Sequence, residues 1–357
     1  MKKTIVVAMS GGVDSSVVAA MLKEQGHNII GITLQLYDHG LAVQKKGACC
    51  AGQDIYDAKM VANSLNIPHY VFDYENLFKQ QVIDDFADSY IRGETPLPCV
   101  RCNQSVKFKD LLAAAKKLGA DALATGHYVQ KIINNGKAEL HKGASLEKDQ
   151  SYFLFATTSE QLDYLMFPLG NQTKEETRKL AAKYGLKVAD KPDSQDICFV
   201  PSGNYKEVIS KIRPDSAKIG KFIHVDGYEI GEHKGIIHYT IGQRRGLDIA
   251  IGTPLYVIKI DSERNNVYVG PESSLFKTIF SLKDVNWIAD DVEPHGANVT
   301  VKIRSGAIGG EARLQLRNGV FEVELMEQQK AVTPGQACVF YQGTRLLGGG
   351  WITKEIS

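Results

Sequence analysis

Short apolar runs punctuate the first two hundred residues, and stretches with helical spacing lie between them. TIVVAM at 4–9 reads as a buried strand, and SSVVAAMLKEQG as a helix that Gly26 caps. NIIGITLQL predicts a second strand, DIYDAKMVANSLN a helix and PHYVFDY a third strand. KFKDLLAAAKKLG predicts a helix with Leu111, Leu112 and Ala115 on one face and Gly119 at its end; ADALATGHY supplies another strand. Alternation of this kind predicts an α/β domain with a parallel sheet.

After about residue 205 the helical period fades. TPLYVIKID, NNVYVG, NVTVKIRSG, ARLQLRNG and FEVELME are short segments between Gly, Asn and Asp turns. In ARLQLR and FEVELM every second residue is apolar, as in half-buried antiparallel strands. The predicted organisation is an α/β domain over 1–205, a small β-rich domain over 206–273 and a β-barrel over 275–357.

Composition changes this picture little. A chain of 357 residues with 43% hydrophobic and 23% charged positions is ordinary for a globular protein of two or three domains. No apolar run approaches the ~18 residues that a membrane span requires. The apolar run in MKKTIVVAMSGG is below the ~7–15 residues of a secretion signal's core, so a cytoplasmic protein is expected. Net charge is +1, which gives no general argument for a nucleic-acid partner. Locally, 92–117 holds six basic residues against two acidic, and 174–191 six against three. Such runs are commonly solvated helix faces, and they point to a polyanion only beside a second feature that demands one.

That feature begins with the loop AMSGGVDS, Ala8, Met9, Ser10, Gly11, Gly12, Val13, Asp14 and Ser15, where the first strand meets the first helix. Unpaired N–H groups and the helix dipole favour a phosphate at such a junction. Gly11 and Gly12 remove Cβ atoms that would block it, and Ser10 and Ser15 offer hydroxyls. A serine-capped turn would need no ligand, but S-G-G-x-D-S-S is more specific than a glycine pair. The Walker A lysine is absent. SGGVDSS resembles the PP-loop of ATP pyrophosphatases, a superfamily in which an oxygen nucleophile attacks the α-phosphorus of ATP and pyrophosphate leaves. The resemblance explains the missing lysine, because no γ-phosphoryl group is transferred.

Six cysteines occur, at 49, 50, 99, 102, 198 and 338, without a disulfide-framework pattern. Cys99 and Cys102 form a C-x-x-C in TPLPCVRCNQSVKF, open to reading as a zinc half-site, which Cys49 and Cys50 would complete poorly, or as buried small side chains. Pro96 and Pro98 predict an extended loop here, and Arg101 and Lys107 would favour thiolate. Cys198, after Asp193 and Asp196, would by itself be a buried structural cysteine.

TPxPxxxCNxxxKF, TGHY at 125–128, the run Lys148–Tyr152, SQDICF and IGQRRGL at 241–247 occur in the order found in the tRNA-specific 2-thiouridylase family (MnmA), and the chain resembles that family end to end. The family makes 2-thiouridine at the wobble position of tRNAs for Lys, Glu and Gln. The resemblance implies that Ala8–Ser15 bind ATP and that Leu34 and Gly126 approach the nucleotide. It makes Cys198 the persulfide carrier and Cys102 the nucleophile, the two joined in a redox disulfide during turnover. Lys148, Asp149 and Gln150 would contact tRNA, as would Arg304 and Ser305 in the C-terminal barrel. Many members have Asp where this chain has Cys99, which leaves open what position 99 does beside the target base.

The expected reaction is adenylation of uridine O2, with Mg²⁺ accompanying ATP, then sulfur transfer from a persulfide loaded by a donor such as a cysteine desulfurase or sulfur relay. Three alternatives stand beside it: a PP-loop thiolase with an iron–sulfur cluster on Cys99, Cys102 and one more cysteine, an amide-forming ATP pyrophosphatase, and an ATP-gated tRNA-binding protein with structural thiols. Apart from the cluster and zinc readings, no metal site is expected.

Overall fold

A computed structural model describes residues 1–37, 50–193, 197–200, 203–249 and 252–354. Cys49, the Cys50 side chain and Ser194, Gln195 and Asp196 of the SQDICF motif lie outside the described residues. The chain forms two compact units. The first comprises 1–82, 99–199 and 344–346, and the second 83–98, 200–343 and 347–357.

The first unit is built on a parallel sheet. Strand β1 (Thr4–Ala8) pairs with β2 (Asn28–Gln35) on one side and β4 (Ala122–Ala124) on the other. β3 (His69–Asp73) and the short β7 (Leu165–Met166) complete the order β3-β2-β1-β4-β7. Helices α1 (Val13–Glu24), α2 (Cys50–Ser64) and α3 (Lys174–Lys183) belong to this unit. Ile5 and Val7 of β1 pack with Val17 and Val18 of α1 and Ala58 of α2, which is why β1 is apolar without alternation. The chain leaves β1 for β2 on one side and later returns to β4 on the other. The loop after β1 therefore sits at a switch point in strand order, the usual ligand position in open α/β sheets. A hairpin, β5 (Val129–Asn134) with β6 (Lys137–Lys142), follows β4.

The extended loop expected around Pro96 and Pro98 is corrected. An α-helical turn, Pro98–Arg101, starts at the proline and continues as a π-helical stretch, Cys102–Leu111, and an α-helix, Leu112–Lys117. Proline suits a first helical position because that N–H has no partner to lose. The C-x-x-C thus lies on a helix, while Leu111, Leu112 and Ala115 are buried as their spacing predicted.

The second unit contains two β systems. β8 (Gly220–His224), β9 (Glu229–His233), β10 (Tyr256–Asp261) and β11 (Asn266–Gly270) form a four-stranded sheet in the order β10-β11-β8-β9. Phe222, Val257, Val267 and Val269 form its core. β12 (Phe276–Trp287), β13 (Asn298–Lys302), β14 (Gly310–Arg317), β15 (Val320–Lys330), β16 (Ala337–Gln342) and β17 (Arg345–Ile352) close into a barrel through the β12–β17 pairing. The predicted alternation places Ala312, Leu314, Val323 and Leu325 inside it. Cys338 is fully buried there, and burial pushes its thiol pKa up.

Candidate active site: a phosphate loop and three thiols

The turn after β1 is shaped by what cannot fit. Gly11 has a φ of +75°, and a Cβ on it would lie 2.2 Å from the Asp54 carbonyl oxygen of α2. Gly11→Ala is expected to cost at least about 1–2 kcal/mol of stability, because φ and backbone contact both oppose it. Urea denaturation measures this, and an unchanged midpoint would show that the loop relaxes freely. Gly12 opens α1 without a side-chain cap, leaving first-turn N–H groups to an outside acceptor. Ser15 Oγ accepts the Ser10 N–H (3.1 Å), and Ser16 Oγ donates to the Gly12 carbonyl (2.8 Å). Uncapped amides, the dipole of α1 and the exposed Ser10 suit the phosphates of a nucleotide. A Cβ at Gly126 would meet Asp14 Cβ and Ser15 N at 3.0 Å, so this glycine lets the TGHY turn pack directly on the loop. Leu34 is half-buried on β2, in register with Phe72 of β3.

Two lysines from far along the chain reach the loop. Lys174 Nζ lies 2.8 and 2.9 Å from the two Asp14 carboxylate oxygens and 2.8 Å from Asp193. Tyr128 Oη also donates to Asp14 (2.7 Å). Lys191 Nζ donates to the Gly11 carbonyl (3.1 Å) and pairs with Asp54 (2.7 Å) and Asp57 (2.5 Å). Asp193 further holds Lys148 (3.0 Å) and Arg178 (3.1 Å). Burial alone would raise the Asp193 pKa, but hydrogen bonds from Lys174 and Lys148 outweigh it and lower it. Sequence reasoning missed Lys174, Lys191 and this use of Asp193. The legible signal was the capping box at Thr173 and Glu176, which starts α3 and places Lys174 at its first position. In the basic run 174–191, Lys174, Arg178, Lys179, Lys183 and Lys191 all have carboxylate partners, which turns much of its charge inward.

Lys148, Asp149 and Gln150 occupy one ordered loop. Asp149 accepts the N–H groups of Gly143 and Ser151, both at 3.1 Å, and Gln150 takes the Tyr128 N–H (2.9 Å) while donating its own N–H to the Tyr128 carbonyl (3.2 Å). Arg304 and Ser305, in the second unit, are exposed after β13, and Arg304 donates to the carbonyls of Lys330 and Ala331.

The three predicted thiols lie in the first unit within electrostatic reach of one another. Cys198 feels both Cys102 and Cys99, and Lys107 acts on all three. All are free thiols; Cys102 is buried, whereas Cys99 and Cys198 keep exposed surface. Lys107 lowers their pKa values, as its position suggested, but burial is the larger effect and raises all three, Cys198 to about 12. The expectation of resting thiolates is therefore corrected: desolvation without a closer cation leaves the thiols protonated, even though Cys198 keeps exposed surface. His127 is half-buried and shares a hydrogen bond with Thr125 Oγ1 (2.9 Å), and desolvation followed by Lys107 lowers its pKa to about 3. Among the described residues no three His, Cys, Asp or Glu side chains are grouped to hold a metal ion, and no helix is long and apolar enough to cross a membrane.

Comparison with known proteins matches this arrangement to one family. Residues 3–202 match a model described as tRNA methyl transferase HUP domain, 206–271 its PRC-barrel domain and 277–352 an aminomethyltransferase β-barrel domain. The tRNA-specific 2-thiouridylase MnmA of Rickettsia conorii is 67% identical, the alignment covering 99% of this chain and 96% of that protein. That of Rickettsia felis is 65% identical, covering 99% and 98%, and that of Rickettsia canadensis 67%, covering 99% and 96%. The chain belongs to the tRNA-specific 2-thiouridylase MnmA family.

Proposed function

We propose that this chain carries out ATP-dependent 2-thiolation of the wobble uridine in tRNAs of the Lys, Glu and Gln type. The presence of Cys99, Cys102 and Cys198, within electrostatic reach of one another, in the unit that holds the phosphate loop carries the reading. Methyl transfer, the chemistry in the family models' descriptions, would leave both features without a task.

The loop Ala8–Ser15, with Leu34 and Gly126 beside it, holds ATP, and Lys174 and Lys191 neutralise the carboxylates that would otherwise repel the phosphates. Asp14 is already engaged by Lys174 and Tyr128, so Mg²⁺ travels with the nucleotide and not on a carboxylate set. Uridine O2 attacks the α-phosphorus, pyrophosphate leaves, and O2 becomes part of an AMP leaving group. The terminal sulfur of a Cys198 persulfide, loaded by a donor protein, attacks C2 and expels AMP. Cys102 then attacks the Cys198 sulfur. The S–S bond breaks, 2-thiouridine leaves with the outer sulfur, and a Cys102–Cys198 disulfide remains for an external reductant. Cys99 lies beside the base, which is splayed from the anticodon loop. Lys148–Gln150 and Arg304–Ser305 contact the tRNA, in a cytoplasmic setting.

The test is direct. Unmodified tRNA, ATP, the purified protein, a thiol reductant and a persulfide donor (a cysteine desulfurase with free cysteine) should yield 2-thiouridine on nucleoside mass analysis, with none when ATP is omitted. A complete mixture that yields no thionucleoside, on tRNA shown to bind, would remove the reading.

A further inference from the structure

The sulfur-transfer reading leaves one charged group in the thiol cluster without a task. Lys107 follows Cys102 by five positions on the π-helical stretch Cys102–Leu111. In a π-helix, hydrogen bonded from i to i+5, residues five apart share a face, and such stretches are frequent at functional sites. Its ammonium is held in place: Lys107 Nζ donates to Asn103 Oδ1 (3.1 Å), and Asn103 Nδ2 donates to the Phe153 carbonyl (3.3 Å). Asn103 is buried, so this anchor has little freedom.

We infer that Lys107 is the positioning cation of the sulfur-transfer site, its ammonium fixed by Asn103 on the π-helical stretch that begins at Cys102, to stabilise the anionic sulfur that forms there. This rests on the proposed sulfur chemistry but concerns a residue to which that chemistry assigned nothing. The groups that feel its charge come from three segments: Cys99 and Cys102 on its own helix, His127 from the turn after β4, and Cys198 from the segment beyond Asp193. His127, lowered to about 3, stays neutral, so Lys107 is the charge that these sulfurs share. Each attacking sulfur must first lose a proton to solvent, and burial opposes that step. A fixed ammonium offsets the cost for the Cys198 persulfide anion and the Cys102 thiolate in turn, without itself exchanging a proton. Arg101, the other cation of the motif, donates to Gln104 (3.2 Å).

The experiment follows iodoacetamide alkylation of Cys198, resolved by peptide mass mapping, from neutral to alkaline pH in wild type, Lys107→Met and Lys107→Arg. The thiol pKa lies above neutral, so losing the cation raises it further and reduces the reactive fraction. Lys107→Met should react about tenfold more slowly at fixed neutral pH, with its curve displaced to higher pH, while Lys107→Arg stays near wild type. Coincident curves for Lys107→Met and wild type would overturn the inference, as would equal displacement in Lys107→Met and Lys107→Arg. In single-turnover transfer from a preformed persulfide, Lys107→Met should lower the rate, recover as pH rises, and leave KM for ATP and tRNA unchanged. Alkylation needs neither ATP nor tRNA, so it judges Lys107 even if the thiolation reading fails, which would appear as an inactive wild type.

Discussion

Cys198→Ser is expected to abolish 2-thiouridine formation, by at least about 10³-fold, while tRNA-dependent pyrophosphate release continues. Serine has no sulfur to carry a second one, whereas nothing in the phosphate loop depends on this side chain. The exposure pattern supports the assignment. A persulfide loaded by another protein must be reachable, and Cys198 keeps exposed surface, whereas Cys102 is only 7% exposed. Cys102 suits the later intramolecular attack, for which access from outside is unnecessary. Cys99 is also exposed and, among the described residues, is the competitor for the carrier role. Nucleoside mass analysis beside a pyrophosphate assay distinguishes the two. If thiolation survives in Cys198→Ser and disappears in Cys99→Ser, the persulfide is carried at position 99, and the mechanism must be rewritten around it.

Local pattern made much of the architecture legible. The unbroken apolar run TIVVAM marked a central strand, and the alternation in ARLQLR and FEVELM marked barrel walls, because burial on two faces or on one leaves a periodic trace. β7 has only two residues and leaves no such trace. The helix start at Pro98 was obscured because proline suits both an extended loop and a first helical position. The candidate site divides in the same way. Its loop is contiguous and was readable, but Lys174 and Lys191 reach Asp14 and Gly11 from 160 and 180 positions away, a proximity that tertiary packing alone creates. The resting state of the thiols was misjudged for a related reason. Lys107 is visible in the sequence, whereas the burial that outweighs it belongs to the fold.

Lys174→Met is expected to weaken ATP binding by about 10–100-fold, a loss of roughly 1.4–2.7 kcal/mol, and to lower stability as well. Lys174 is 14% exposed and stands between Asp14 at 31% and Asp193 at 22%, so its removal leaves two half-buried carboxylates facing one another. Breaking a fully buried pair costs about 3–5 kcal/mol; with water still reaching these carboxylates, about 1–3 kcal/mol is expected. Lys148 and Arg178 remain on Asp193, but among the described residues Asp14 keeps only the Tyr128 hydroxyl beside a loop that must receive polyphosphate. An uncompensated Asp14 repels the ligand that Lys174 is placed to attract. The fault therefore lies in electrostatics at the loop and not in the thiols. Titration calorimetry with ATP should show the weakened binding, and the ATP-induced rise in melting temperature should shrink with it. Lys174→Arg keeps the charge and should recover part of both effects, though a planar guanidinium cannot reproduce the compact ammonium's contacts with both carboxylates. An ATP affinity unchanged in Lys174→Met would mean that the ion pair serves the fold alone, and that the phosphates are held by the amides of Gly11–Ser15 without a lysine.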